Sequence, residues 1–298
     1  MRAAMTAPRQ VLPGTTHLVT RRCAQRQFLL RPGKTINEVF LYLLAVAAER
    51  FGIDVHAFCV LSNHFHLVVT DRHARLPAFH QFLDALLARA LNALLGRWEA
   101  FWAPNSYSAV TLVSPSDILD KAAYVLANPT AAGLVRSGRL WPGLWSAPER
   151  VGGEAFEISR PKHFFDAKGL LPERARLKLT PPPGFTAEEF RERLAASLAD
   201  REASAVKKHG GRFLGAVRVT AQKPTDRPRP GEPRRTLNPR VASRDKWKRI
   251  EALNRLVEFL RRYRAALAER CAGNADAVFP AGTYLLRVAH GVPWEGFG

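Results

Sequence analysis

Cysteine and acidic side chains are scarce in this chain of 298 residues. Its three cysteines, Cys23, Cys59 and Cys271, are odd in number and far apart. That argues against a self-contained disulfide framework, and the spacing fits no cysteine zinc site. A reducing, cytoplasmic setting is therefore expected. No apolar run is long enough to cross a bilayer, so no membrane partner is expected. Arg2 and Arg9 stand near the N-terminus without the long apolar core of a signal peptide. No internal repeat is present, which argues against a solenoid. Acid is outnumbered: 26 Asp plus Glu face 45 Lys plus Arg, a formal net charge of +19. Such a surplus suits a polyanion, because basic side chains displace counterions condensed on phosphates. The surplus is uneven, since residues 201–298 hold 21 Lys plus Arg against 9 Asp plus Glu. Hydrophobic residues make up 47% of the chain, ample for a buried core.

What is present begins with His64-Phe65-His66, inside the apolar run Cys59-Val60-Leu61-Ser62-Asn63-His64-Phe65-His66-Leu67-Val68-Val69. The run reads as strands. In a strand, residues two apart share a face. Both imidazoles then project from one surface and Phe65 from the other. Two neutral imidazoles on one surface are two-thirds of a facial metal site.

A second constellation lies at Tyr124-Val125-Leu126-Ala127-Asn128-Pro129. Ser114-Pro115-Ser116-Asp117 reads as a helix start, with Ser114 as N-cap, Pro115 as first helical residue and Asp117 closing a capping box. Pro129 is expected to end that helix, because a residue preceding proline disfavours the α region. Tyr124 and Asn128 are four apart and share a helical face. The phenol is a potential nucleophile at phosphorus, and the amide oxygen a potential ligand for a hard cation. Tyr107 is the second candidate nucleophile.

Histidine-hydrophobe-histidine on a strand, followed by a helical tyrosine and Asn-Pro, resembles the HUH single-tyrosine transposases, closest to the REP-associated tyrosine transposase branch. Asn63-His64-Phe65-His66-Leu67 matches the family's metal motif. Tyr124 to Pro129, followed by Ala132-Gly133-Leu134-Val135, matches its tyrosine helix and exit. His17-Leu18-Val19-Thr20-Arg21 matches its opening strand, with Thr16 where the family usually has tyrosine. Phe101-Trp102-Ala103-Pro104-Asn105-Ser106-Tyr107-Ser108 stands where the family usually carries Trp, Gln and a basic-aromatic run. The resemblance covers roughly the first half of the chain. It implies Tyr124 as nucleophile, a covalent 5′-phosphotyrosine intermediate, and Mg²⁺ or Mn²⁺ held by His64, His66 and Asn128. It also implies single-stranded or hairpin-forming DNA as partner. A homodimer is compatible with it, and the tyrosine could then come from the partner chain. Two other readings stay open: a non-catalytic protein that holds structured single strands, and an unrelated metal hydrolase using water.

The order of elements is β-α-β-β-α-β. Strands are expected over 15–20, 53–61, 63–70 and 110–113. One helix is expected to follow a Thr35/Glu38 capping box and stop at Gly52, and a second to run from Pro77 to Gly96. The fold class expected is α+β: a ferredoxin-like split βαβ antiparallel sheet with helices on one face, plus a basic, largely helical C-terminal extension. The tyrosine helix is expected to pack near the open face, toward which the histidines point. The expected organisation is a transposase-like domain over 1–150, a mixed accessory region over 151–220, a Pro/Arg-rich linker over 221–242 and a basic helical region over 243–298. Within 151–220 a helix begins at Thr186, and from Ser243 a long helix carries an apolar stripe from Trp247 to Leu267. Expected DNA contacts are Arg21, Arg22, Arg227, Arg229, Arg234, Arg235, Lys248 and Arg249.

Overall fold

The computed structural model describes residues 7–104, 106–162, 165–166, 168–228 and 239–297. Among these, β1 (Thr15–Arg22), β2 (Ile53–Leu61), β3 (His64–Asp71) and β4 (Ser108–Leu112) lie side by side in the order β2-β3-β1-β4. All these neighbours pair antiparallel. This is the expected α+β sheet, and β4 begins two residues earlier than expected. A short fifth strand, β7 (Val241–Ala242), adds to β4 in parallel. The end of the segment read as a linker thus joins the main sheet.

Between β1 and β2 runs α1 (Lys34–Phe51); between β3 and β4 runs α2 (Leu76–Leu95). The Thr35 capping box does not form. Pro32-Gly33 breaks the chain earlier, so the helix starts at Lys34 with Gly33 as N-cap and no side-chain cap. At their far ends Gly52 (φ +65°) and Gly96 (φ +60°) take the left-handed conformation that stops a helix. Asp71 is the sequence's unannounced cap for α2. Its buried carboxylate accepts backbone N–H bonds from His73, Arg75 and Leu76 at 3.2, 2.9 and 2.7 Å.

Residues 64, 66, 68 and 70 pair with 22, 20, 18 and 16 of β1. Directly opposed residues of an antiparallel pair share a face. One face therefore carries His64, His66, Thr20 and Arg22, and the other Phe65, Leu67 and Arg21. Phe65 is fully buried, with its ring 5.2 Å from Phe40 of α1 and 5.7 Å from Trp102. Loss of such a side chain costs about 3–5 kcal/mol.

Helices cover both faces, not one. On the histidine face lies α3 (Pro115–Ala131), backed by α4 (Ala187–Lys208). Leu194 and Leu198 of α4 belong to the same core as Ile118 and Leu126 of α3. The accessory region thus supplies the outer layer of the tyrosine helix. It also contributes the two-stranded ribbon β5 (Phe156–Ser159) and β6 (Arg174–Leu177), which packs beside α1. After α5 (Ala216–Ala221), the C-terminal part holds α6 (Lys246–Cys271) and α7 (Leu285–His290). A small second core forms there around Ala266, Phe279 and Val292. The residues α6 buries are not those of the expected stripe: Phe259 and Ala266 are buried, whereas Trp247, Leu253 and Val257 of the stripe are exposed.

Two of the buried histidines, His56 and His17, should make the fold acid-sensitive. His56 Nδ1–H donates to the Thr180 carbonyl at 2.8 Å, and its Nε2 accepts from the Thr70 hydroxyl at 2.7 Å. Burial lowers its pKa from 6.5 to about 4, and burial beside Arg9 lowers that of His17 to about 3. Because the folded values are depressed, the unfolded chain takes up these protons first. Their stabilising share is complete above pH 6.5 and is lost as pH falls toward 4 and then 3. Urea midpoints should be level from pH 8 to 7 and decline below about 6.5. In His56→Gln, which cannot titrate, the decline should be shallower.

Candidate active site

The histidine pair sits where β3 begins. The rings of His64 and His66 lie 4.8 Å apart and nearly perpendicular, at 89°. His66 is buried and His64 half-buried. Each ring is oriented through Nδ1. His64 Nδ1–H donates to Asn63 Oδ1 at 2.6 Å, and the Asn63 amide is oriented by its own donation to the Arg26 carbonyl. His66 Nδ1 meets Thr20 Oγ1 at 2.7 Å. With Nδ1 so engaged, Nε2 of each ring can be the bare, ligating nitrogen. His66 Nε2 is fully buried and has no hydrogen-bond partner among the described residues. A buried polar atom left unpaired costs about 1–3 kcal/mol, a cost that a bound cation would remove.

Both imidazoles are neutral. Burial holds the His64 pKa well below 6.5, helped by His66, Arg22 and Arg26, and burial with Arg22 brings His66 to about 3. Neutral imidazole is the metal-binding form. The donor set therefore fits a divalent cation. Among the described residues no cluster of three or more His, Cys, Asp or Glu could hold a metal ion. Further donors would be neutral oxygens or water.

The predicted nucleophile stands on the same face. The ring of Tyr124 lies 5.7 Å from that of His66, at 73°, and Tyr124 is 39% exposed. The helix that carries it begins as expected. Ser114 caps Asp117 N–H, the Asp117 carboxylate answers to the Ser114 backbone, and Pro115 opens the first turn. It does not stop at Asn128. The helix continues through Pro129 to Ala131, so the local proline rule is overridden by packing. Trp145 Nε1–H holds the Leu126 carbonyl at 2.9 Å, and Glu202 of α4 accepts from Thr130 Oγ1 at 3.3 Å. Glu202 also takes the Ser137 hydroxyl and the Gly138 N–H. A side chain at Gly138 would collide with Trp145, whose ring lies 2.6 Å from where a Cβ would stand. Asn128 donates its side-chain amide to the Tyr124 carbonyl at 2.8 Å, which leaves Oδ1 as the end of that side chain able to act as a ligand.

Basic groups surround the pair. Arg22 is exposed on the histidine face. Lys121 Nζ lies 5.9 Å from the centre of the Tyr124 ring and 3.0 Å from Asp120. Asp120 also binds Arg201 of α4 at 2.5 Å and Arg244 at 3.5 Å. Sequence reading missed this cluster, although Asp120-Lys121 one turn before Tyr124 was a signal for it. Arg21 belongs elsewhere: it points to the opposite face, 3.3 Å from Asp84 and stacked toward Trp102. Tyr107 does too. It lies against His80, at 4.6 Å, under the Arg9 guanidinium, and burial pushes its pKa up to about 12. Neither feature suits a nucleophile. Arg227 and Lys248 are exposed, and Arg249 donates to the Ser243 carbonyl at 3.1 Å. Arg229, Arg234 and Arg235 lie outside the described residues.

No family model and no curated protein matches the chain. Among solved structures it is similar to a REP-associated tyrosine transposase bound to a REP hairpin. The two share 16% identity, with 48% of this chain and 81% of that one covered and a TM-score of 0.38. It is also similar to a Deinococcus radiodurans protein provisionally named a transposase, at 20% identity, with 36% and 85% covered and a TM-score of 0.28. Likeness this low assigns no function. No described helix is long and apolar enough to cross a membrane.

Proposed function

We propose that this chain is a DNA transposase of the HUH type, which cleaves and rejoins single-stranded, hairpin-bearing DNA through Tyr124. The observation that carries the reading is the approach of the Tyr124 ring to the ring of His66, whose buried Nε2 is unpartnered, on one face of the sheet. In cleavage, Tyr124 Oη forms a bond to the scissile phosphorus as the bond from phosphorus to the 3′-oxygen breaks. The phenolic proton leaves and the 3′-oxygen takes one up. The products are a 5′-phosphotyrosine and a 3′-hydroxyl. The ester linkage conserves the bond energy, so rejoining requires no nucleotide cofactor.

His64, His66 and Asn128 would hold Mg²⁺ or Mn²⁺. When bound, such a cation draws charge from the non-bridging phosphate oxygens. Asn63 and Thr20 keep the two imidazoles aimed. Free tyrosine ionises near pH 10, so Lys121 and Arg22 serve by favouring negative charge around the phenol and the phosphate. A homodimer is not required by this arrangement, since one chain supplies both the histidines and the tyrosine.

The test is incubation with single-stranded hairpin oligonucleotides and Mn²⁺, followed by denaturing electrophoresis. A band of protein carrying DNA, dependent on the divalent ion, is expected. Binding without any such band would instead indicate a protein that only holds structured strands. For Arg22→Ala we expect weaker binding of every oligonucleotide and a salt slope shallower by about one. An unchanged slope would remove Arg22 from the DNA path.

A further inference from the structure

Away from the histidines, a cavity of about 500 Å³ opens between the start of β1, the end of β4, the first turn of α3 and the middle of α6. Thr16 lies four residues along β1 from Thr20, the partner of His66. That places the cavity roughly 13 Å along the sheet from the metal-binding pair. Its wall is mainly aliphatic, including Val11, Leu12, Val113, Ile118 and Leu256. Among the described residues, three arginines line it, Arg9, Arg240 and Arg255, and no Asp or Glu does.

The inner two arginines are held by carbonyl groups, which position a guanidinium without neutralising it. Arg9 donates to the Ala109 carbonyl at 2.7 Å and to that of Tyr107 at 3.5 Å. Arg240 donates through Nη2 to the Ala7 carbonyl at 3.1 Å. Its Nη1 is buried and has no partner among the described residues. Both line the cavity, and burial first, then the Arg240 charge, lowers the pKa of Arg9. Arg255 is exposed and pairs one turn away with Glu251 at 3.6 Å. Two like charges held together, one with an orphaned N–H donor, are unfavourable unless an anion joins them. The aliphatic wall adds room for a flat apolar body, in a volume typical of small-ligand sites.

We infer that this cavity is a second site, which binds one nucleotide unit, its phosphate on Arg9, Arg240 and Arg255 and its base against the aliphatic wall. The choice of a nucleotide over other phosphorylated compounds rests on the nucleic-acid reading above; the cavity and its charge do not. The source is either a nucleotide at the end of a DNA strand or a free one.

The full-length protein is titrated by calorimetry with 2′-deoxyadenosine 5′-monophosphate, 2′-deoxyadenosine, inorganic phosphate and a 5′-phosphorylated trinucleotide. The monophosphate should bind at least tenfold more tightly than the nucleoside. Arg255→Ala, a change on an exposed helix face, should lower that affinity about tenfold, the loss of one charge-assisted contact. Ala252→Trp, which fills the cavity from the same helix, should abolish binding. Tyr124→Phe should bind like the parent. A trinucleotide that outbinds the monophosphate assigns the site to a strand, and the reverse order to a free nucleotide. Equal affinity for nucleoside and monophosphate, no binding of either at millimolar concentration, or an unaffected Arg255→Ala would overturn the assignment. Because this assay needs no cleavage, a protein that forms covalent adducts yet fails here loses only the second site. One that binds the monophosphate yet forms no adduct loses only the transposase reading.

Discussion

Replacement of Tyr124 by phenylalanine is expected to eliminate the covalent protein–DNA adduct while leaving DNA affinity within about twofold of the parent. The ring of Tyr124 packs 5.7 Å from His66 at an exposed position. Phenylalanine keeps that ring contact and removes only the oxygen. Among the described residues the Tyr124 hydroxyl has no hydrogen-bond partner to lose, so stability should change by less than about 0.5 kcal/mol. Chemistry, by contrast, loses the atom to which phosphorus would become attached. The assay is the denaturing gel run beside a binding titration on the same oligonucleotide. A residual adduct at parental yield would move the nucleophile elsewhere. Tyr107 is a poor substitute, because burial raises its pKa and it faces the other side of the sheet.

The second large effect concerns the imidazoles. Manganese or magnesium should raise the thermal midpoint of the parent protein, since a ligand that binds only the folded state stabilises it by mass action. At a hundredfold excess over the dissociation constant this amounts to about 2.7 kcal/mol. His66→Ala should abolish that shift and reduce cleavage about 100- to 1000-fold, the range for loss of one electrostatic contact to a reacting group. Asn63→Ala should give an intermediate result. It frees His64 Nδ1 without removing a ligand, and a lost orienting partner of this kind weakens metal affinity about 10- to 100-fold. Scanning calorimetry with and without the ion reads all three. If His66→Ala gains as much stability from the ion as the parent does, the histidines are not its site.

What could be read from the chain was local. Histidines two apart in an apolar run could be assigned to one face without knowing any partner strand. Ser114, Pro115 and Asp117 carry their helix start within four residues, and the structure forms that box. The order of strands followed from the order of elements. What could not be read depended on distant contacts. Arg21 and Arg22 differ in role because alternation places them on opposite faces, yet only the register of β1 against β3 says which joins His66. The supports of the tyrosine helix, Glu202 and Arg201, lie 64 and 81 residues from the groups they bind, Gly138 and Asp120. Pro129 misled because a proline rule weighs only its own turn. Here Trp145 holds the Leu126 carbonyl before it and Glu202 the Thr130 hydroxyl after it. Asp71, one residue past the expected strand, became the cap of the following helix only once the chain had turned back on it.

The most direct measurement is the mass of the peptide that carries the DNA. Trypsin cleaves after Lys121 and after Arg136, so one fragment, residues 122–136, contains Tyr124 and no other tyrosine. Protein is reacted with a hairpin oligonucleotide in Mn²⁺, denatured, and digested with nuclease and trypsin. The account predicts a phosphonucleotide mass on that fragment, attached at Tyr124. A nucleotide on the Tyr107 fragment, or product DNA released with no fragment modified, would contradict it.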